Sequence, residues 1–176
     1  MDKDLLYQTI DQFYVANPEA YQLGRLTTTE EIKSISWKVK RRITKWYLEL
    51  LSKYPLVDLE IGIPNDHGDE TLIGKPVEEL PLTGITFIST AEIERHALNI
   101  FPDYELLRMK IIRIAEDKFV TQEGVFMNGK QDNPELRLVF HDFGETGKEV
   151  YSEAETLMNS FTDMFKYAKL RTAENG

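Results

Sequence analysis

The polar run Asp66, His67, Asp69 and Glu70 combines carboxylates with an imidazole and could hold a divalent metal ion. Its spacing does not match a calcium-binding loop, because the later Glu and the full series of oxygen ligands are missing. A polar turn is the commoner role for such a run. We therefore predict no metal ion and no cofactor, and keep a metal-dependent hydrolase that uses Asp66, His67 and Asp69 as an alternative.

A second candidate for chemistry is the pair His141 and Asp142, together with His96. An imidazole beside a carboxylate can act as a base with its orienting acid. Neighbouring residues of a strand point to opposite faces, so a strand through His141 and Asp142 would separate their side chains. His96 falls on a predicted helix and is expected to be exposed. No Gly-x-Ser-x-Gly motif supplies a nucleophile, and we predict a non-catalytic protein.

The third candidate is a set of carboxylates, Glu116, Asp117 and Glu123, between two predicted strands. Paired carboxylates can form an acid–base couple. Solvated charges at a hairpin tip are far commoner, and that is the role we predict. The glycines of the chain form neither of the two phosphate-binding patterns, Gly-x-x-x-x-Gly-Lys-Ser/Thr or Gly-x-Gly-x-x-Gly.

Composition and charge restrict the class of partner. The chain of 176 residues has a formal net charge of −9, a pI near 4.9 and no cysteine. An acidic surface repels a phosphate backbone and attracts a basic protein, so we predict a protein partner and no direct nucleic-acid binding. The N-terminus lacks the pattern of a signal peptide, and no apolar run approaches the roughly 20 residues of a membrane span. These features favour a cytoplasmic protein without membrane contact.

The elements that position these side chains centre on residues 105–142. Alternation along residues 135–142 predicts a strand that has Leu136, Leu138 and Phe140 on its apolar face. Apolar runs at 106–115 and 124–128 predict two strands before it. We therefore expect three consecutive antiparallel strands, with the other elements packed against their apolar face. Phe140, and Phe161 further along the chain, should then be buried, and Glu116 should lie in an exposed turn where Glu116→Gln costs little.

The remaining segments read mainly as helices. The patterns Thr-x-x-Glu within Thr27–Glu31 and Ser-x-x-Glu at Ser89–Glu92 are capping boxes, which mark helix starts. Further predicted elements are an N-terminal helix that stops near Asn17-Pro18, a helix over 43–54, strands over 56–63 and 84–88, and a last helix that starts near Ser152 and runs to Ala168. The basic run at residues 38–42 is predicted to be a solvated turn at a helix end. This order indicates an α+β fold, a mostly antiparallel sheet with helices packed around it.

Several segments together carry a resemblance to a known family. They are Ile43–Leu51, Tyr54–Ile63, Phe101-Pro102 followed by Ile111–Asp117, Leu138–Asp142 and Leu157–Phe165. In this order they resemble the SUKH superfamily, which includes the yeast Smi/Knr glucan-synthesis regulators and many bacterial immunity proteins. The resemblance extends over about residues 27–168. Thr44 stands where the family usually has Pro, and the segment Gly124–Asn128 lacks the Gly-Asp-rich approach of many members.

The resemblance implies a single SUKH-like domain over residues 27–170. The residue patterns predict a helical extension at 1–26 before it and a frayed tail at 171–176 after it. The resemblance also implies protein binding rather than catalysis. We expect a bacterial immunity protein that neutralises a cognate toxin, and the acidic charge favours a basic toxin such as a nuclease. A regulator or scaffold of cell-wall glucan synthesis is the alternative. The expected partner contacts are Asp66, Asp69, Glu70, Glu116, Asp117 and Glu123.

Overall fold

The strands of the protein form one antiparallel sheet. The computed structural model describes residues 3–65, 70–72, 74–117 and 123–171. The strands over these residues are β1 Glu60–Pro64, β2 Leu82–Phe87, β3 Ile111–Asp117, β4 Gly124–Asn128, β5 Leu136–Val139, β6 Glu155–Met158 and β7 Lys169–Leu170. They form a seven-stranded sheet in the order β6-β5-β4-β3-β2-β1-β7, which curls into a half-barrel with helices around it. The predicted α+β class is confirmed.

The helices lie on both sides of this sheet. They are α1 Lys3–Ala16, α2 Ala20–Leu23, α3 Thr29–Ser34, α4 Trp37–Lys40, α5 Lys45–Lys53, α6 Thr90–Asn99, α7 Asp103–Arg108, α8 Gly147–Ser152 and α9 Phe161–Tyr167. Short 3₁₀ turns cover Glu70–Leu72, Val77–Glu79 and His141–Phe143. Within the described part of the chain, no helix is both long enough and apolar enough to cross a bilayer.

Local sequence signals explain where several helices begin and end. Thr28 and Glu31 form a capping box at the start of α3, and Ser89 and Glu92 form one at the start of α6, as predicted. The N-terminal helix α1 ends just before Asn17-Pro18, because Pro18 disfavours a helical backbone at Asn17. The basic run expected to be a turn instead begins with the short helix α4.

The three consecutive antiparallel strands predicted in the second half of the chain are confirmed as β3, β4 and β5. In the pairing of β4 with β5, Val125 lies opposite Leu138 and Met127 lies opposite Leu136. All four of these side chains are buried in the main core. The predicted start of the first strand is wrong, because residues 103–108 form α7.

Both faces of the sheet are covered. The main core lies on one face and includes Phe161, which is fully buried as predicted. On the opposite face a second apolar cluster consists of Leu106, Ile111, Phe126, Val139 and Val150. The strand expected over residues 56–63 begins only at Glu60, because Asp58 interrupts it with an exposed side chain and a left-handed backbone with φ of 67°. Val57 instead forms a bridge with Arg25. Residues 61–63 are all buried, so the expected half-buried alternation is wrong there.

The C-terminal region differs most from expectation. A single helix from Ser152 was predicted, but the chain ends α8 there, forms β6 beside β5, and restarts as α9. The Ser160 hydroxyl accepts a hydrogen bond from the Asp163 amide and so begins the new helix. Leu157 and Met158 are adjacent apolar residues, which fit a helix as well as a strand. This segment forms a strand because its pairing with the open edge of β5 satisfies the backbone hydrogen-bonding groups of that edge.

The proposed division of the chain into an extension, a domain and a tail corresponds to no gap in the core. Leu6, Ile10 and Phe13 of α1 are buried in the main core, and the ring of Phe13 lies 5.7 Å from that of Phe165 in α9. Residues 172–176 of the predicted tail lie outside the described residues.

Candidate functional site

Four charged or titratable side chains meet between α6, α7 and β3, and we call them the ionic cluster: His96, Asp103, Arg113 and Glu116. The Arg113 guanidinium donates to both carboxylate oxygens of Asp103, at 2.9 and 3.0 Å. The Nε2 atom of His96 lies 3.3 Å from Glu116 Oε1, which also faces Arg113 Nη1 at 3.7 Å. The cluster therefore connects two helices to the central strand by charge-assisted contacts.

The ionic cluster is largely out of water. The side chains of Arg113 and His96 are each 9% exposed and that of Asp103 is 2% exposed. Gly124, opposite Glu116 on β4, leaves room for this arrangement, because a Cβ there would lie 2.7 Å from Arg113 Cζ. The expectation that His96 is exposed is wrong, since α6 turns that residue toward the sheet.

Electrostatics in the ionic cluster favour the ionised form of Glu116. The hydrogen bond with His96 lowers the pKa of the Glu116 carboxyl below its usual range. Partial burial raises this pKa, and the positive charge of Arg113 lowers it. The acid is thus engaged by two partners. These contacts indicate that the cluster fastens α6 and α7 onto the sheet.

A second group, which we call the histidine corner, consists of Glu123, His141 and Asp142. The Nδ1 atom of His141 lies 3.1 Å from Glu123 Oε1, and the opposite ring nitrogen lies 3.2 Å from Asp142 Oδ1. The His141 amide also donates to Glu123, at 3.3 Å. The strand expected to separate His141 from Asp142 ends at Val139, and the 3₁₀ turn that follows brings the two side chains together.

The histidine corner holds its imidazole between an inner and an outer carboxylate. Glu123 is 5% exposed at its side chain, whereas His141 is 54% exposed and Asp142 is 83% exposed. A carboxylate beside each ring nitrogen fixes the orientation of the imidazole. Among the described residues, no group of three or more His, Cys, Asp or Glu side chains is arranged to hold a metal ion.

The acids expected to contact a partner differ in location and in exposure. Asp66 and Asp69 lie outside the described residues, and only the backbone of Glu70 is described, in a 3₁₀ turn. Asp117 and Glu123 are 2% and 4% exposed, so the expected solvated hairpin tip is wrong at both positions. Glu116 belongs to β3 rather than to a turn, and it is occupied by the ionic cluster.

Sequence reasoning missed an exposed surface that follows the histidine corner. Phe143 is 58% exposed, and the exposed acids Asp142, Glu145, Glu149 and Glu153 accompany it along the turn and α8. We call these five residues the acidic ridge. The signal was present in the sequence, because Lys148 is the only Lys or Arg between residues 142 and 153.

Fold and surface together define an α+β domain with a curled antiparallel sheet, two polar clusters at the ends of β3 and β4, and an acidic ridge. Comparison of the chain with protein-family models, with curated proteins and with solved structures gave no match.

Proposed function

We propose that this protein is a non-catalytic binding domain of the immunity type, and that its acidic ridge binds a basic partner protein such as a nuclease toxin. The observation that carries the proposal is Phe143, a large aromatic side chain that is 58% exposed within a group of carboxylates. Aromatic residues supply much of the binding energy at protein interfaces. The resemblance to SUKH immunity proteins supports the same class of function.

The acidic ridge is held in place by its own backbone contacts. The Glu149 carboxylate accepts hydrogen bonds from the amides of Glu145 and Thr146, each at 3.1 Å. These bonds lower the pKa of Glu149 below its usual range, so its carboxylate stays ionised further into the acidic range than that of an ordinary Glu. The ring of Phe143 lies 5.3 Å from that of Phe140, which is packed against the main core. A surface ordered before binding loses less entropy when the complex forms.

Charge and shape have separate roles in this proposal. Carboxylates around the anchor attract a basic partner and raise its association rate, an effect that salt screens. Burial of the Phe143 ring in an apolar pocket of the partner then slows dissociation. The formal net charge of −9 extends the attraction beyond the contact itself.

The test is direct binding to the product of the neighbouring gene, measured by biolayer interferometry at low and high salt. Phe143→Ala should weaken the complex by about 2 kcal/mol, which is about 30-fold. Tyr21→Ala on α2 is the matched control, since Tyr21 is an aromatic residue of similar exposure, 56%, and should leave affinity unchanged. Asp142→Lys combined with Glu145→Lys should mainly slow association. Absence of a complex at low salt, or equal effects of the two aromatic substitutions, would contradict the proposal.

A further inference from the structure

A second exposed surface has the opposite charge. We call it the basic groove: Trp37, Lys38, Arg41 and Arg42 from α4 and the residues after it form one wall, and Leu98, Tyr104, Leu107 and Arg108 from α6 and α7 form the other. The groove has a volume of about 350 Å³. That volume suits one or two apolar side chains of a bound segment rather than a folded domain.

The cations of the basic groove lack acidic partners. Over the described residues, no carboxylate oxygen lies within 4.0 Å of the charged nitrogens of Lys38, Arg41, Arg42 or Arg108. Four other arginines of this acidic chain each face a carboxylate, namely Arg25, Arg113, Arg137 and Arg171. The positive charge in the groove is therefore not neutralised by the protein itself, and it favours an anionic ligand.

The basic groove also exposes apolar surface. The Trp37 side chain is 65% exposed, Leu98 is 40% exposed and Tyr104 is 37% exposed. The guanidinium of Arg41 lies over the indole of Trp37, with its Cζ atom 4.5 Å from the ring centroid, so cation and aromatic ring form one contact surface. Exposed apolar patches rimmed by charge are typical of interaction sites.

We infer that the basic groove binds an acidic protein segment that inserts an apolar side chain between α4 and the α6–α7 pair. Carboxylates would pair with the groove's cations, and the inserted side chain would cover Leu98 and Leu107. Nucleic acid fits less well, because an extended phosphate backbone would reach beyond the groove over a protein whose formal net charge as a whole is −9. Arg41 also occupies one face of the indole on which a base would stack.

The structure supplies an intrinsic reporter for this site. Trp37 is exposed and Trp46 is only 3% exposed, so a change in tryptophan emission on binding reports Trp37. The probe is a short peptide of alternating glutamate and leucine. We expect a blue shift of the emission, together with saturable binding by fluorescence anisotropy of a labelled copy. The same peptide with serine in place of leucine should bind at least about tenfold more weakly, about 1.4 kcal/mol.

Charge-reversal variants separate a specific site from the overall field. Arg41→Glu combined with Arg108→Glu should weaken peptide binding by at least about tenfold. The control, Lys45→Glu combined with Lys169→Glu, changes the net charge equally at exposed positions outside the groove and should have a much smaller effect. Circular dichroism checks that both variants are folded.

Three results would overturn the inference. Equal losses for the two charge-reversal variants would show that only overall charge matters. Equal affinity for the serine peptide would show that the apolar groove is not used. Tighter binding of single-stranded oligothymidylate than of the glutamate–leucine peptide would assign the groove to nucleic acid instead. None of these results bears on the acidic ridge, which uses other residues.

Discussion

The buried carboxylate of Glu123 lies 3.1 Å from Nδ1 of His141 and also accepts a hydrogen bond from the His141 backbone amide. Glu123 immediately precedes β4, and His141 begins the 3₁₀ turn after β5. One side chain thus links the residue before β4 to the turn that follows β5. Phe143 of the acidic ridge lies at the end of the same turn.

A double-mutant cycle should detect this coupling. Glu123→Ala should cost about 1–3 kcal/mol of unfolding free energy, because it leaves the partners of a buried acceptor unpaired. His141→Ala should cost less, since much of its ring already faces water. The two losses should be non-additive by about 0.5–3 kcal/mol in urea denaturation. Strictly additive losses would show that the contact contributes no stability.

The Asp103–Arg113 pair should be among the most sensitive positions. Asp103→Ala leaves a buried guanidinium without its carboxylate, which should cost about 3–5 kcal/mol. Asp58→Asn removes the charge that pairs with Arg25 in solvent, where the side chains are 62% and 44% exposed, and keeps a residue type that tolerates the left-handed backbone; it should cost no more than about 1 kcal/mol. Urea unfolding of the two variants measures the difference, and similar losses would be evidence against a buried role for Asp103.

The lowered pKa of Glu116 predicts a dependence of stability on pH. Because the folded protein binds a proton at this site less readily than the unfolded chain, the contribution is present above the unfolded value, near 4.5, and is lost as the pH falls through the lower folded value. Glu116→Gln should reduce this acid-side loss, and it should cost about 1–3 kcal/mol at neutral pH.

Glu30→Gln is the control for that experiment, because Glu30 is exposed at the start of α3. Chemical denaturation at a series of pH values from neutral to acidic measures both variants. A Glu116→Gln profile parallel to that of the original protein would rule out the predicted linkage. The small cost expected for this substitution in an exposed turn no longer applies, since Glu116 lies within β3 beside His96.

Truncation of an aromatic side chain should cost much more stability in the core than on the acidic ridge. Phe161 is fully buried, and its ring centroid lies 5.2 Å from that of Trp46, so Phe161→Ala should cost about 3–5 kcal/mol. Phe143→Ala should change stability by no more than about 0.5 kcal/mol, because the side chain is mostly in solvent. Thermal unfolding of both variants measures this. A large loss for Phe143→Ala would identify it as a packing residue and remove the basis for the proposed interface.

Phe140 shows where the alternation of apolar residues in the sequence fails to predict burial. It continues the pattern of Leu136 and Leu138, but β5 ends at Val139 and Phe140 is only partly buried. Alternation reports burial only while the backbone stays extended. Where a strand ends depends on its neighbours in the sheet, and that information lies far away in the sequence.

The candidate sites show the same limit. Capping boxes such as Ser89–Glu92 could be predicted from the sequence because both partners lie within one turn of helix. The contact of His96 with Glu116 could not be predicted, because it joins α6 to β3 and depends on the angle at which the helix lies against the sheet. Asp117 and Glu123, which were expected to be solvated, are buried in the folded protein.

The α+β class, the helix starts with local caps, the three central strands and the acidic net charge were all predictable from the sequence, because each depends on short-range spacing or on composition. The tertiary structure alone decided the edge strand β6, the pairing of Asp103 with Arg113, and the separation of exposed charge into an acidic ridge and a basic groove. The physical reason is that sheet register and helix docking bring together residues distant in the chain, and no local pattern encodes which of them will meet.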